Sequence, residues 1–296
     1  MKRVAFIGLG NMGLPMAVNL LKNGFDVRGF DKGATAASAA LAAGVAMERS
    51  AIAAVTDADV VVTMLPNGAI LRQVYGEIVP AAKAGALVID CSTVDVESAR
   101  AAHDMARNAG LKSVDAPVSG GVGGAAAGTL TFMSGADVEA FEAARPILSA
   151  MGKNLVHCGE AGAGQAAKIC NNMVLGISMI AVCEAFALAD KLGLSRQAMF
   201  DVVSTSSGQC WSINTYCPAP GVGPKSPADN EYKPGFAAPL MLKDLGLSQQ
   251  AAASVGVETP LGQHAAEIYA RFVAQGGTDK DFSGILPWLA ARANEA

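Results

Sequence analysis

Lys168 and Asn172 stand four residues apart in the stretch G-A-G-Q-A-A-K-I-C-N-N, which covers residues 162–172 and opens a long apolar pattern. Positions i and i+4 share one face of a helix, so an amine and an amide are offered together to one cavity. No residue from 169 to 183 is charged. A lysine at the entrance to such a run suits proton transfer, because burial makes an amine less basic and a base works best with a pKa near the working pH. A lysine on the solvated side of the first turn is the alternative.

A second group is built for phosphate. G-L-G-N-M-G at residues 8–13 follows the apolar run 4–7 and precedes the helical spacing Leu14, Met16, Ala17, Leu20, Leu21. Gly8 permits a tight turn, Gly10 lets the backbone approach a pyrophosphate and Gly13 lets the helix pack on the strand, while Leu9, Asn11 and Met12 complete the turn. Asp31 follows a second strand pattern, at the place where an acid binds ribose hydroxyls and repels a 2′-phosphate. That predicts NAD over NADP, although Lys32 beside it argues the other way. Leu65-Pro66 and Thr93 fall at the ends of further strands, where ligands sit in such sheets; ordinary helix capping by Ser92 or Thr93 is the alternative. In D-A-P-V-S-G-G-V-G-G-A-A-A-G-T-L, residues 115–130, the backbone amides of Ser119, Gly120 and Gly121 with the Ser119 hydroxyl are expected to form a carboxylate-binding concavity.

These residues need elements to hold them. Strand patterns near 60–65, 87–90, 113–115, 129–133 and 155–157 alternate with helical patterns near 34–44, 68–84, 95–109 and 137–151, which predicts a mostly parallel sheet covered on both faces. The spacing predicts a helix over about 164–192, roughly 40 Å long. Beyond it, helical patterns recur near 195–205, 237–255, 259–275 and 283–293. The expected fold is α/β: an N-terminal Rossmann-type doubly wound sheet over 1–162 and an all-α C-terminal domain over 163–296, joined by a long interdomain helix over 163–192. Residues 206–235 read as a long loop, and its Trp211 and Tyr216, with Phe236 just after, are expected to fold over a cavity or an interface; core packing of Trp211 is the alternative.

With 296 residues, 51% hydrophobic and only 16% charged, the chain is long enough for two packed domains and too apolar for disorder. A formal net charge of -4 and the absence of any long basic run exclude a nucleic-acid or anionic-membrane footprint. Six scattered cysteines without C-x-x-C point to free thiols of a reducing compartment, with Cys91, Cys170 and Cys183 expected to be buried. The apolar run at the N-terminus ends too soon at Gly8 for a signal peptide, and the central run is interrupted by Asn171, Asn172 and Ser178. A soluble cytoplasmic enzyme is expected, with no membrane and no metal. His103, His157 and His264 have no ligand spacing, and none reads as catalytic.

G-L-G-N-M-G with L-P-M-A-x-N-L, D-A-P-V-S-G-G-x-x-G-A-x-x-G-T-L, G-A-G-Q-A-A-K-I-C-N-N and K-D-L-G-L at 243–247, in that order, resemble the β-hydroxyacid dehydrogenase family over nearly the whole chain. Residues 206–222 are most similar to its 3-hydroxyisobutyrate dehydrogenase branch. The resemblance implies NAD-dependent oxidation of a small 3-hydroxy acid to its semialdehyde, in the cleft between the domains, by a homodimer or homotetramer. It assigns proton transfer to Lys168, and substrate binding to Ser119, Gly120, Gly121, Asn172, Trp211, Tyr216 and Phe236. It also places Lys243 near the nicotinamide, where a surface ion pair is the other reading. Sister activities, L-serine dehydrogenase or reduction of tartronate or another small semialdehyde with NADPH, are the nearest alternatives. A nicotinamide-binding sensor without turnover is the rival from another class. One departure from the family pattern, Gly135-Ala136 in place of a glycine pair, is expected to touch only a turn.

Overall fold

The computed structural model describes residues 2–292, so position 293 of the last expected helix lies outside the described residues. The chain divides into two compact units whose boundary lies between Lys168 and Ile169.

In the first unit, β1 (Arg3–Ile7), α1 (Gly13–Lys22), β2 (Asp26–Phe30), α2 (Ala34–Ala42), β3 (Ala46–Met47), α3 (Ala51–Val55) and β4 (Val60–Thr63) come first. They are followed by α4 (Gly68–Ile78), β5 (Leu87–Asp90), α5 (Val96–Asn108), β6 (Lys112–Asp115), β7 (Val118–Ser119), α6 (Gly121–Ala127), β8 (Leu130–Gly135), α7 (Val138–Ser149) and β9 (Gly152–Gly159). The sheet order is β3-β2-β1-β4-β5-β6-β8-β7, with β9 paired to β8. Strands β1 to β6 pair in parallel, whereas β8 meets β6 and β7 antiparallel. Alternation along β1 divides the core: Val4 and Phe6 pack with Met16 and Leu20 of α1, while Ala5 and Ile7 pack with Leu71 and Tyr75 of α4. This is the doubly wound sheet the periodicity predicts.

In the first unit the short elements β3, α3, β7 and α6 escape the sequence pattern. The most instructive is α6, whose G-V-G-G-A-A-A sequence reads as loop. Tertiary contacts override that propensity, because Asn19 Nδ2 donates to the Ala125 carbonyl at 2.7 Å and Ala125 is buried against the sheet.

Helix α8 (Ala163–Lys191) begins in the first unit and supplies the core of the second, with α9 (Arg196–Val203), α10 (Trp211–Asn214), α11 (Ala238–Val255), α12 (Pro260–Phe272) and α13 (Ile285–Arg292). Met179, Cys183 and Phe186 of α8 pack with Met241 and Leu245 of α11 and Tyr269 of α12. Gly176 does not break α8, because its missing Cβ is what lets α11 approach: a Cβ there would lie 3.0 Å from Leu245 and 3.1 Å from Met241. By length and composition α8 is apolar enough to cross a membrane, more so than the run counted from sequence, yet its Met179, Cys183 and Phe186 face is fully buried in protein. Cys91 and Cys183 are buried as expected, but Cys170 is exposed on the outer side of α8.

Candidate active site

The nucleotide end of the first unit is built at the carboxyl edge of β1. Gly8 has φ +93°, and a Cβ on it would collide with the Met64 carbonyl, while a Cβ on Gly13 would strike the carbonyl of Gly8. The turn is therefore folded onto itself and onto the residues after β4. Gly10 is exposed with open space beside its Cα, and α1 starts directly behind it, so the backbone can be approached by a phosphate at a helix N-terminus. Asn11 is exposed and Met12 half-buried in the same turn. Leu9 takes part through its backbone alone: its side chain is buried in the core and its N–H donates to Asp31 Oδ2 at 2.7 Å. Asp31 Oδ1 accepts from Gly33 N at 2.7 Å, which leaves each carboxylate oxygen with a lone pair for ribose. Lys32 is exposed beside it, and the donors that hold Asp31 are the backbone amides of Leu9 and Gly33. These features fit a dinucleotide.

The loops after β4 and β5 are tied together. Ser92 Oγ accepts from Leu65 N at 2.7 Å and donates to Asp90 Oδ1 at 2.6 Å, and the same oxygen of Asp90 accepts from Thr63 Oγ1 at 2.6 Å. Pro66 is exposed and Thr93 half-buried on either side of this lock. Burial pushes the Asp90 carboxyl up to about 6 against the pull of Ser92 and Thr63, and its Oδ2 has no hydrogen-bond donor among the described residues.

Ser119 ends β7, and Gly120 and Gly121 follow with φ of +133° and +61°, turning the chain into α6. Gly120 is exposed at this turn.

Lys168 lies in the second turn of α8 and is only 7% exposed. What holds that turn is a set of residues that motif reasoning did not single out. Asp115, at the end of β6, accepts from Gly162 N at 2.8 Å and Gln165 N at 2.9 Å, and from His103 Nε2 at 2.9 Å. Gln165 is fully buried, accepts from Val94 N at 3.1 Å and donates to the Ser92 carbonyl at 2.8 Å. Gly135 touches more than a turn, contrary to expectation: it ends β8, and a Cβ there would lie 2.5 Å from Asp115 Oδ1 and 2.8 Å from the amides of Ala163 and Gly164. The only sequence signal for this cluster was that Asp115, His103 and Gln165 are polar residues inside apolar patterns.

In the second unit Asn172 is buried, donates from Nδ2 to Asp244 Oδ2 at 2.5 Å and accepts from Asn171 Nδ2 at 2.9 Å. Lys243 is half-buried with its Nζ 3.6 Å from Asp244 Oδ1. Trp211, 49% exposed, stacks on Tyr216 with ring centroids 4.8 Å apart, and Tyr216 and Phe236 both rest on Phe282. The Tyr216 hydroxyl has a structural partner: it donates to Asp281 Oδ2, which also accepts from the amides of Gly235 and Phe236, each at 2.9 Å. Asp281 Oδ1 accepts from Ser283, so one buried carboxylate fastens the far end of the loop. Within that loop, residues 225–233 contain a 3₁₀ turn (Pro227–Asn230) capped by Ser226 and Asp229.

Comparison with known proteins agrees with this geometry. The profile of the NAD binding domain of 6-phosphogluconate dehydrogenase matches residues 3–159, and that of the NAD-binding of NADP-dependent 3-hydroxyisobutyrate dehydrogenase matches 162–289. A probable 3-hydroxyisobutyrate dehydrogenase of Mycobacterium tuberculosis is 54% identical over 99% of this chain and 100% of its own. The chain belongs to the β-hydroxyacid dehydrogenase family. It is an oxidoreductase with the family's NAD-binding Rossmann domain. Among other family members, an NAD-dependent L-serine dehydrogenase of Pseudomonas aeruginosa is 47% identical, over 96% of each chain. The solved structure of the Mycobacterium tuberculosis 3-hydroxyisobutyrate dehydrogenase with L-serine matches at a TM-score of 0.94, 54% identical, over 98% of this chain and 99% of that one.

Proposed function

We propose that this dehydrogenase oxidises 3-hydroxyisobutyrate to methylmalonate semialdehyde, with NAD as acceptor and Lys168 as the base. The observation that carries the reading is the burial of Lys168 one helical turn before Asn172, on a helix start that Asp115 and Gln165 tie to the ends of the parallel strands. Lysine is almost never fully buried unless it is paired, so a buried lysine marks a site built to receive it.

Bound NAD supplies a two-electron acceptor at its nicotinamide ring. The Gly8–Gly13 turn and Asp31 hold its pyrophosphate and ribose, and a carboxylate at Asp31 disfavours the extra phosphate of NADP. Lys168 Nζ takes the proton of the substrate hydroxyl and returns it in the reverse direction. Ser119 Oγ and the amides of Gly120 and Gly121 hold the substrate carboxylate. Asn172 keeps one N–H and one lone pair beyond its bonds to Asp244 and Asn171, enough to hold Lys168 or a substrate oxygen. Trp211, Phe236 and Lys243 keep their assignments to substrate and cofactor as part of the same proposal, and a homodimer or homotetramer is the expected assembly.

A second reading, oxidation of L-serine, is favoured by the 47% identical relative of that name and by the L-serine in the 54% identical structure. The test is the appearance of reduced nicotinamide with each enantiomer of 3-hydroxyisobutyrate, with L-serine and with D-glycerate, each with NAD and NADP. Turnover of one 3-hydroxyisobutyrate enantiomer with NAD, lost by ~10²–10⁴ in Lys168→Ala with NAD binding intact, is the expected result. Preference for L-serine selects the second reading. Full activity in Lys168→Ala sinks both mechanisms, and NAD binding without turnover of any hydroxy acid would make the protein a sensor.

A further inference from the structure

Asp115 is 2% exposed, yet it receives three hydrogen bonds and every one of them bears on the start of α8 or on the residue that braces it. A carboxylate can only accept, so His103 Nε2 is the donor to Oδ1, beside Gly162 N, while Gln165 N donates to Oδ2. The amides of residues 162 and 165 are among those a helix start leaves without an internal partner. A serine, threonine or asparagine would satisfy such amides without burying a charge. A buried anion is costly unless it is paired and hydrogen-bonded, and here two backbone amides and a buried histidine supply those bonds.

Two further contacts remove the remaining freedom of the turn. The Gln165 amide bridges Val94 N and the Ser92 carbonyl, and the missing side chains of Gly135 and Gly164 let the turn sit against Asp115 and the Met133 carbonyl with no room for a methyl group. Residues 162–165 are thus fixed by the ends of β5, β6 and β8 together. Lys168 follows three residues after Gln165, on the neighbouring face of the next turn. We infer that Asp115, braced by His103, is a positioning residue for the proton-transfer amine: it fixes the helical phase in which α8 starts, and so where Lys168 Nζ points.

The inference rests on Lys168 being the base. A reacting group must be held to within ~0.5 Å and 10–20° of its working geometry, so loosening the turn should lower the rate of chemistry more than the binding of either ligand.

The experiment is a double-mutant cycle on the full-length protein with the substrate it turns over, comparing Asp115→Asn alone, Lys168→Ala alone and both together. Asp115→Asn is expected to lower kcat about ten- to a hundredfold, with KM for the hydroxy acid and Kd for NAD within about twofold. In the Lys168→Ala background the same change should cost less than about twofold of the residual rate, because there is no amine left to misplace. A merely structural role would reduce both backgrounds by the same factor, and that outcome overturns the inference, as does an unchanged kcat in Asp115→Asn. Should that variant fail to fold, His103→Gln removes the brace while leaving both backbone bonds, and the same cycle should give a smaller loss of kcat that again vanishes without Lys168. Wild-type activity in Lys168→Ala would strike instead at the assignment of the base.

Discussion

At the scale of single residues, the site depends on carboxylates whose environments differ. Asp90 is a desolvated acid, raised to about 6, with one oxygen carrying the Thr63 and Ser92 bonds that lock the Leu65 loop. Because the folded state holds this proton more tightly than the unfolded chain, the folded protein gains from it at low pH, and the gain is lost as pH rises from about 4 through about 6. A shift of about two units corresponds to about 3 kcal/mol at most. Asp90→Asn should therefore show less loss of thermal stability between pH 4 and pH 7 than the parent; identical pH profiles of Tm would contradict this origin for the shift. Asp31 has a different task, holding Leu9 N while keeping lone pairs for ribose. Asp31→Ala should weaken NAD more than NADP, so the ratio of their Kd values moves toward NADP, measurable by fluorescence titration. These roles were legible unequally. Asp31 was found from its distance to Gly13, because strand, turn and helix have fixed lengths. Asp90 and Asp115 were not, because burial and partners arise from strands that lie far apart in sequence.

At the scale of elements, the long strands and helices follow their periodicity, whereas the short ones exist through their neighbours. Segment 206–235 is the clearest case. Its composition reads as an aromatic loop, but its far end is fastened to Asp281, which is fully buried and accepts from Tyr216 Oη, Gly235 N, Phe236 N and Ser283. Removing one partner of a buried charged network costs roughly 3–5 kcal/mol, since the donors are left without an acceptor. Asp281→Ala should accordingly lower Tm by several degrees and free the loop for limited proteolysis near residues 206–235. Unchanged protease resistance would show that the aromatic stack of Trp211, Tyr216 and Phe282 holds the segment without it. No pattern in K-D-F-S, residues 280–283, announces this role, because an acid before a serine also reads as a common helix cap.

At the scale of the whole molecule, each unit has its own core, and ligands are expected to act on stability through mass action. NAD at a hundred times its Kd stabilises the state that binds it by about 2.7 kcal/mol, or ~5–10 °C in the midpoint for a unit of this size. Lys168→Ala should keep that shift, whereas Asp31→Ala should lose most of it at the same NAD concentration. Sedimentation should find a dimer or tetramer; a monomer at micromolar concentration would remove the homo-oligomer from the proposal. What the sequence determined by itself was whatever depends on neighbours along the chain: alternation of apolar residues for the strands, 3.6-residue spacing for the helices, the Gly8–Gly13 turn and the shared helix face of Lys168 and Asn172. Only the tertiary structure decided that Tyr216 spends its hydroxyl on Asp281, that Asn172 is engaged by Asp244, that Cys170 faces outward, and that Asp115 and Gln165 hold the start of α8. The reason is physical. A hydrogen bond between residues fifty or seventy positions apart leaves no periodic trace in the sequence, and a polar side chain's partner exists only once the sheet has brought the strand ends together.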